Sequence, residues 1–385
     1  DIGGGGTYCS GGSGVDITLS DSEVGMSYQL YRQAGPDVAV GDPIAGTGDA
    51  LSMGLQTVAG TYYIEGSNNQ NPSCTSTMNG TVDVIVRPLP LVYDVEPVAG
   101  TSFCSGGSVD IQIPNSQTNI NYEIYRNGTP LGDIKPGSTG SPVSWTVNQD
   151  GVYTVFASHS TIPQCTIQMS GSVTVSQTPD PVVTFNVTGG GTYCSGGAGL
   201  VVGLDGSESG VEYQLLLDAA PVGTPVAGTG AAISFGQQTA AGSYTVEATT
   251  TTTPACGPIA VNGGATSSVD IIERALPIVQ TVEAVGSTTY CSGGSLDLQI
   301  TDSQTNIDYE LYLNGAATGD IQSGTTGSAV VWTVSGPGVY TVYGYHDTAP
   351  QCTIQMSGSV TVSQTPDPVV TFNVTGGGTY CSGGA

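Results

Sequence analysis

Cations are scarce in this chain. Its 385 residues carry five Lys+Arg against 31 Asp+Glu, a formal net charge of −26, and Lys135 is the only lysine. A polymer this negative does not bind a nucleic-acid backbone by counterion release, nor cling to an anionic lipid surface. No apolar run approaches the roughly 18 residues that a membrane-spanning helix needs, so no membrane insertion is expected. No C-x-x-C occurs, and the two histidines, His159 and His346, lie far from any evident ligand set, which argues against zinc. Neither histidine has a Ser or Cys nucleophile arranged beside it; both read as surface-loop residues, and the chain reads as no enzyme. Helical patterns at 3.6 spacing are missing as well.

What is present is strand vocabulary. Val, Ile, Thr and Tyr alternate with polar residues. Glycine (58) and proline (22) together make 80 of 385 residues, below the roughly 25–30% of a disordered low-complexity chain. The expectation is an all-β chain.

Internal repeats set the organisation. Thr-Tyr-Cys-Ser-Gly-Gly and its variants place cysteines at Cys9, Cys104, Cys194, Cys291 and Cys381. A second series, Cys74, Cys165, Cys256 and Cys352, trails the first four at a near-constant spacing. The unit is about 93 residues, a usual size for a β-sandwich. Units alternate in type: residues 164–198 and 351–385 are identical at an offset of 187, which Trp145/Trp332 and His159/His346 share. The array is A-B-A-B, with expected boundaries at 1–88 (first strand incomplete), 89–180, 181–276, 277–367 and the start of a fifth repeat at 368–385. Because both ends fall inside a repeat, the expectation is a window cut from a longer array.

Strands can be read within the second unit: Val92–Val98, Val109–Ile113, Tyr122–Tyr125, a return strand near Leu131–Ile134 after the Asn127-Gly128 turn signal, Val143–Val147, Val152–Ala157 and Ser172–Val175. Seven strands per unit, joined by proline-bearing connections that are short and stiff, predict a tandem array of seven-stranded immunoglobulin-like β-sandwiches. Gly-x-Tyr opens the sixth strand of every unit, at Tyr62, Tyr153, Tyr244 and Tyr340, in the manner of a tyrosine corner. Two positions on, where antibody domains have a cysteine, this chain has Val155.

The Cys-Ser-Gly-Gly opening, the Tyr-x-x-Tyr-x-Asn-Gly middle, the Gly-x-Tyr-Thr-Val strand and the loop cysteine after it together resemble the immunoglobulin-like repeats of Bacteroidota cell-surface proteins, such as gliding-type adhesins and related giant secreted repeat proteins. The resemblance covers the whole chain. It implies secretion, often by the type IX route, and an extracellular, surface-attached or secreted location.

Regular cysteine pairs in such a chain read as disulfides. Two connectivities are open. Pairing within a unit would join Cys9–Cys74, Cys104–Cys165, Cys194–Cys256 and Cys291–Cys352. Strand counting puts the first cysteine in the loop after the first strand and the second in the loop after the sixth, at opposite ends of a sandwich. Five residues of strand at roughly 3.3 Å each separate those ends by more than ~15 Å, whereas a disulfide needs Cα atoms within about 7 Å. That favours pairs between neighbouring units, Cys9–Cys165, Cys104–Cys256 and Cys194–Cys352, leaving Cys74, Cys291 and Cys381 for units outside the window. One missed strand would restore the pairing within units, and bonds between chains are the third possibility.

Other features have plain readings. The acidic turns at Asp21-Ser22-Glu23, Asp205-Gly206-Ser207-Glu208 and Asp302-Ser303 invite calcium but lack Asp-x-Asp-x-Asp spacing, so solvated turns are the better reading and no cofactor is expected. Gly3–Gly6 and Gly189–Gly191 precede no helix and no lysine, unlike a phosphate loop. Trp145 and Trp332 fall where other units have Met53 and Phe235, which favours core packing over sugar stacking. Two functions stand: a structural extracellular rod or filament whose partners are neighbouring domains or copies of itself, and an adhesin whose repeats bind glycans or another cell surface.

Overall fold

The computed structural model of the chain describes residues 1–262, 267–369 and 375–377. It is all-β, and each of the four repeats builds one three-stranded and one six-stranded sheet. In the second repeat the strands are β1 (Glu96–Pro97), β2 (Ser102–Cys104), β3 (Val109–Ile113), β4 (Ile120–Arg126), β5 (Thr129–Pro136), β6 (Val143–Val147), β7 (Gly151–His159), β8 (Thr166–Gln168) and β9 (Val173–Thr178). The same labels serve for the corresponding strands of the other repeats. One sheet has the order β1-β3-β6; the other runs β2-β9-β7-β4-β5, with β8 also pairing β7. All pairs are antiparallel except β2 with β9, which is parallel. This is an immunoglobulin-like sandwich.

Nine elements stand where seven runs were expected, because β2 and β8 form in segments outside those runs. Only Glu96–Pro97 of the expected Val92–Val98 strand pairs with β3. The chain then crosses to the other sheet as β2, so Cys104 ends a strand and does not lie in a loop. A new partner is the physical reason: Ser102–Cys104 run alongside Ser176–Thr178 of β9, and the same crossing occurs in the other repeats, where Gly4, Gly189 and Ala284 stand in place of Pro97. The last strand is interrupted between β8 and β9, where Met169 turns inward to 2% exposure and Ser170 N–H donates to the Tyr93 carbonyl at 2.9 Å.

Alternation puts one face of each sheet into a separate core per repeat. In the second repeat Val109, Ile111 and Ile113 of β3 lie directly opposite Val147, Trp145 and Val143 of β6. Trp145 and its counterpart Trp332 are each 1% exposed, so neither presents a ring to a ligand. Within the six-stranded sheet, Tyr122 of β4 lies beside Ala157 of β7 on the core face. The equivalent pairs are Tyr28 with Gly66, Tyr213 with Ala248 and Tyr309 with Gly344. A large ring opposite a minimal side chain fills the layer without overpacking. Each of these phenols accepts a backbone N–H from the turn before its strand: Glu23, Gln117, Glu208 and Gln304, at 2.9–3.0 Å. Burial pushes the phenols of Tyr122, Tyr213 and Tyr309 up from the ordinary range.

Tyr62, Tyr153, Tyr244 and Tyr340 each donate their hydroxyl to the carbonyl four positions upstream, at Val58, Gln149, Ala240 and Gly336, over 2.7–2.9 Å. That is the hydrogen bond of a tyrosine corner, contributing about 1 kcal/mol net.

The residues fall into two compact units, Asp1–Asp180 with Thr252–Cys256, and Pro181–Thr251 with Gly257–Ala385.

Gly137 follows β5 where a Cβ would lie 2.4 Å from the Gln117 carbonyl oxygen and 2.6 Å from the Tyr122 ring. Gly137→Ala should therefore destabilise the second repeat by roughly 1–3 kcal/mol, the cost of overpacking a filled site. Chemical unfolding of the variant would register this as a lower midpoint; an unchanged midpoint would contradict the packing described for Tyr122.

Candidate junction sites

Cys9, Cys104, Cys194 and Cys291 are each the last residue of β2, and the parallel ladder sets what lies beside them. Cys9 pairs with Arg87, Cys104 with Thr178, Cys194 with Arg274 and Cys291 with Thr365. The Ser-Gly-Gly that follows is a turn. Gly107 N–H donates to the Cys104 carbonyl at 2.8 Å, and Gly106 has φ +75°, the left-handed conformation that a type II turn requires at its third residue. A Cβ on Gly107 would lie 2.9 Å from that same carbonyl oxygen. Cys-Ser-Gly-Gly is thus a device that ends β2 at a cysteine and sends the chain back as β3.

The second series lies between β7 and β9. The structure bonds Cys9 to Cys165, Cys104 to Cys256 and Cys194 to Cys352, with Cα–Cα distances of 5.4, 5.5 and 5.4 Å. Each bond joins the end of β2 in one repeat to the β7–β9 connection of the next. Cys165, Cys256 and Cys352 are buried at 0–1% exposure, whereas Cys74 and Cys291 are unbonded and exposed. Cys381 lies outside the described residues, as does most of the expected fifth-repeat start.

Two kinds of junction alternate. Beside Cys9–Cys165, Arg87 Nη1 reaches the carbonyls of Thr161 at 2.9 Å and Pro163 at 3.1 Å. Beside Cys194–Cys352, Arg274 Nη1 reaches those of Thr348 at 3.0 Å and Pro350 at 3.2 Å. A guanidinium here satisfies loop carbonyls that the junction would otherwise leave short of donors. The Cys104–Cys256 junction has no arginine. There Ser102 Oγ donates to the Thr253 carbonyl at 3.1 Å, and the Cys256 sulfur lies 3.8 Å from the Thr178 carbonyl oxygen.

The histidines belong to the arginine junctions. His159 Nε2 lies 3.0 Å from the Pro88 carbonyl oxygen and His346 Nε2 lies 2.9 Å from that of Ala275, so each ring, in its Nε2–H tautomer, holds the connecting segment. Past each connection, the next repeat hooks the chain through a side-chain acceptor. Leu91 N–H donates to Gln117 at 2.7 Å, Val182 N–H to Glu208 at 2.8 Å and Ile278 N–H to Gln304 at 2.6 Å. Sequence reasoning passed over the arginines and the side-chain acceptors, and it read both histidines as surface-loop residues, whereas each is the last residue of β7 and pairs with β4. The available signal was recurrence at 187: Arg87 and Arg274 are two of four arginines in the chain.

The acidic turns are engaged in local hydrogen bonds. Asp21 accepts Ser22 N–H at 2.8 Å, Asp205 accepts Asn186 N–H at 2.8 Å, and Asp302 accepts Gly327 N–H at 3.0 Å. The Asn186 bonds hold the Asp205 carboxyl below the usual range. Among the described residues, no group of three His, Cys, Asp or Glu side chains is placed to hold a metal ion.

No family model matches the chain, and no curated protein matches it. Among solved structures, it is similar to a Ca2+-stabilised adhesin with which an Antarctic bacterium binds ice (13% identity, TM-score 0.38, covering 93% of this chain and 96% of that one). It is also similar to a three-domain immunoglobulin fragment of titin (12%, 0.41, 72% and 99%) and to a 1.5-MDa bacterial ice-binding adhesin (11%, 0.30, 72% and 100%). No ligand or activity carries over from such likenesses.

Arg87→Ala should expose Cys9–Cys165 to reductant and leave Cys104–Cys256, which has no arginine, as an internal control. Loss of charged hydrogen bonds worth about 1–2 kcal/mol after solvent screening predicts a rise of roughly 5- to 30-fold in the rate of reduction of the first pair alone. Thiol trapping with peptide mapping reads both rates in one sample. Equal rates in variant and wild type would remove the arginine from the account of the junction.

Proposed function

We propose that this chain is a load-bearing segment of an extracellular bacterial surface protein, a rod or filament of disulfide-tied immunoglobulin-like repeats with no catalysis of its own. One repeat of about 93 residues, a β-sandwich length, is taken as the unit, with joints near 88, 180, 276 and 367. Extracellular placement is supported by the disulfides, which persist in oxidising compartments. The negative charge keeps neighbouring copies apart, and five Lys+Arg leave few trypsin sites on an exposed surface.

The observation that carries the reading is the covalent path through the staples. Cys9–Cys165 short-circuits everything between those residues, and Cys194–Cys352 does the same. From Cys9 to Cys352 the shortest covalent route then uses backbone only between Cys165 and Cys194, where an unbonded chain would use all of it. At roughly 3.5 Å per residue, the route extends to about 100 Å instead of about 1,200 Å. A staple within each repeat would also shorten the chain. The interlocked arrangement goes further and carries tension from one repeat to the next through sulfur. Tethering also restricts the unfolded chain, a contribution on the order of 3–5 kcal/mol per bond for loops this long.

A second reading, in which the repeats recognise a surface glycan, has one observation in its favour. On the sheet face away from the core, Tyr125 packs on Phe156 at 4.5 Å between ring centroids, and at an offset of 187 Tyr312 packs on Tyr343 at 4.6 Å. Rings in pairs, beside Glu123 or Glu310, offer an apolar platform with polar groups at its edge.

Pulled by its two ends in a single-molecule experiment, the oxidised chain should stop lengthening near about 250 Å, tails included, and the reduced chain near about 1,300 Å. Equal lengths would refute the load-bearing path. For the second reading, binding to a neutral glycan array that disappears in Tyr125→Ala/Tyr312→Ala would support recognition, and no binding by the wild type would end it.

A further inference from the structure

The outer edge of the three-stranded sheet is blocked in three repeats, by two different devices, and left unblocked in the fourth. We propose that β6 of the fourth repeat (Val330–Val334) pairs antiparallel with the same strand of a second copy of this chain, about a two-fold axis at Trp332. This lateral contact goes beyond the load-bearing reading, since it uses no junction and no disulfide.

β6 ends the order β1-β3-β6 in every repeat, so one side of it has no strand beside it. In the first and third repeats that edge is irregular. Gly54 and Gly236, at φ +81° and +80°, lie where the register against β3 shifts. Gln56 Nε2 donates to the Met53 carbonyl at 3.1 Å, and Gln238 Nε2 to that of Phe235 at 2.9 Å. A bulge of this kind keeps an exposed edge from pairing with another chain. The second repeat has a regular strand, Val143–Val147, but a lysine covers it. Lys135 Nζ donates to the Ser144 carbonyl at 2.7 Å and lies 5.7 Å from the centre of the Trp145 ring.

The fourth repeat keeps the regular strand and lacks the lysine. Gln322 stands at the position of Lys135 and turns aside, donating to Asp320 at 2.8 Å. Val331 stands where the second repeat has Ser144, and it is 45% exposed. Trp145 Nε1 donates to the Asp133 carbonyl at 3.2 Å, whereas the buried Trp332 Nε1 has no partner among the described residues. A following repeat does not cover this edge either. β6 of the second repeat has a complete repeat after it and still pairs only β3.

Ladder geometry and charge select the occupant. Val285 N–H donates to the Asp297 carbonyl, so Asp297 and Gln299 of β3 turn their backbone groups to β1, and Leu298 turns its own to Trp332. Val331 and Thr333 therefore direct N–H and C=O outward. With the axis at Trp332, Val331 of each copy lies opposite Thr333 of the other. Each such pair exchanges two hydrogen bonds and sets two β-branched side chains together on the outer face. Residues 321–346 contain no Asp, Glu, Lys or Arg, so the repulsion that keeps these acidic chains apart is absent along the strand. The Asp297 carboxylates, one strand in, would be three strand spacings apart. That is about 14 Å, beyond the screening length of about 8 Å at physiological salt. A contact of like strands on a two-fold axis closes on itself, so the product is a dimer.

The test is sedimentation equilibrium of the full chain, its unpaired thiols alkylated, at concentrations up to about 1 mM. So short an edge gives a weak dimer, with Kd on the order of 0.1–1 mM. Hydrogen exchange should slow at the Val331 and Thr333 amides as concentration rises, and not at those of Ser144 and Thr146. Gln322→Lys, which restores the block of the second repeat, should raise Kd about tenfold or more. Lys135→Gln/Ser144→Val opens a second edge and should carry assembly past dimers. A monomer at every concentration would overturn the inference, as would a dimer whose Val331 and Thr333 amides exchange at the monomer rate. A double variant that associates no further than the wild type would remove Lys135 as the block and overturn it too.

Discussion

The parallel pairing of β2 with β9 is the contact on which the junctions depend. A parallel neighbour must enter from the same end as its partner, so the chain crosses from one sheet to the other before β2 begins. Both strands then finish together, with Cys104 opposite Thr178 and Cys9 opposite Arg87. Since β9 leads directly into the connection to the next repeat, the cysteine and the exit of the chain share one end of the sandwich. A disulfide to the following repeat is the outcome of that coincidence, and Cys-Ser-Gly-Gly is the local chemistry that allows β2 to stop there.

Tyrosine performs two separate tasks in each sandwich. The ring of β4 lies beside Ala or Gly on β7 and uses its hydroxyl to hold the preceding turn; the corner tyrosine of β7 ties the connection before its own strand. Both place a polar tip at the edge of a small core, where an amphipathic ring covers apolar area and satisfies a backbone group at once. A unit of about 93 residues buries a limited core, and such dual use helps it hold its ends. The connections gain order from groups outside the cores, namely Arg87, His159 and Gln117 and their counterparts.

Much of the sandwich was legible because strand periodicity is local. Val109–Ile113 and Val143–Val147 alternate cleanly and carry those bounds in the structure. The first and last strands were less legible. Whether Val92–Val98 stays in one sheet depends on which backbone groups meet a partner across space, here Ser102–Cys104 beside Ser176–Thr178. The roles of Arg87 and His159 were hidden for a similar reason: a cation or an imidazole acquires its meaning from carbonyls far along the chain, at Thr161 and Pro88.

The sequence by itself determined the all-β class, the repeat length, the alternation of two unit types and the two cysteine series, since each is a property of spacing along the chain. Tertiary structure decided the division into nine strands, the crossing that carries β2 beside β9, which loop faces which cysteine, and the alternation of arginine and threonine junctions. Those depend on where the ends of two sandwiches meet. Such a meeting is fixed by sheet geometry and loop carbonyls in three dimensions, which spacing along one dimension does not specify.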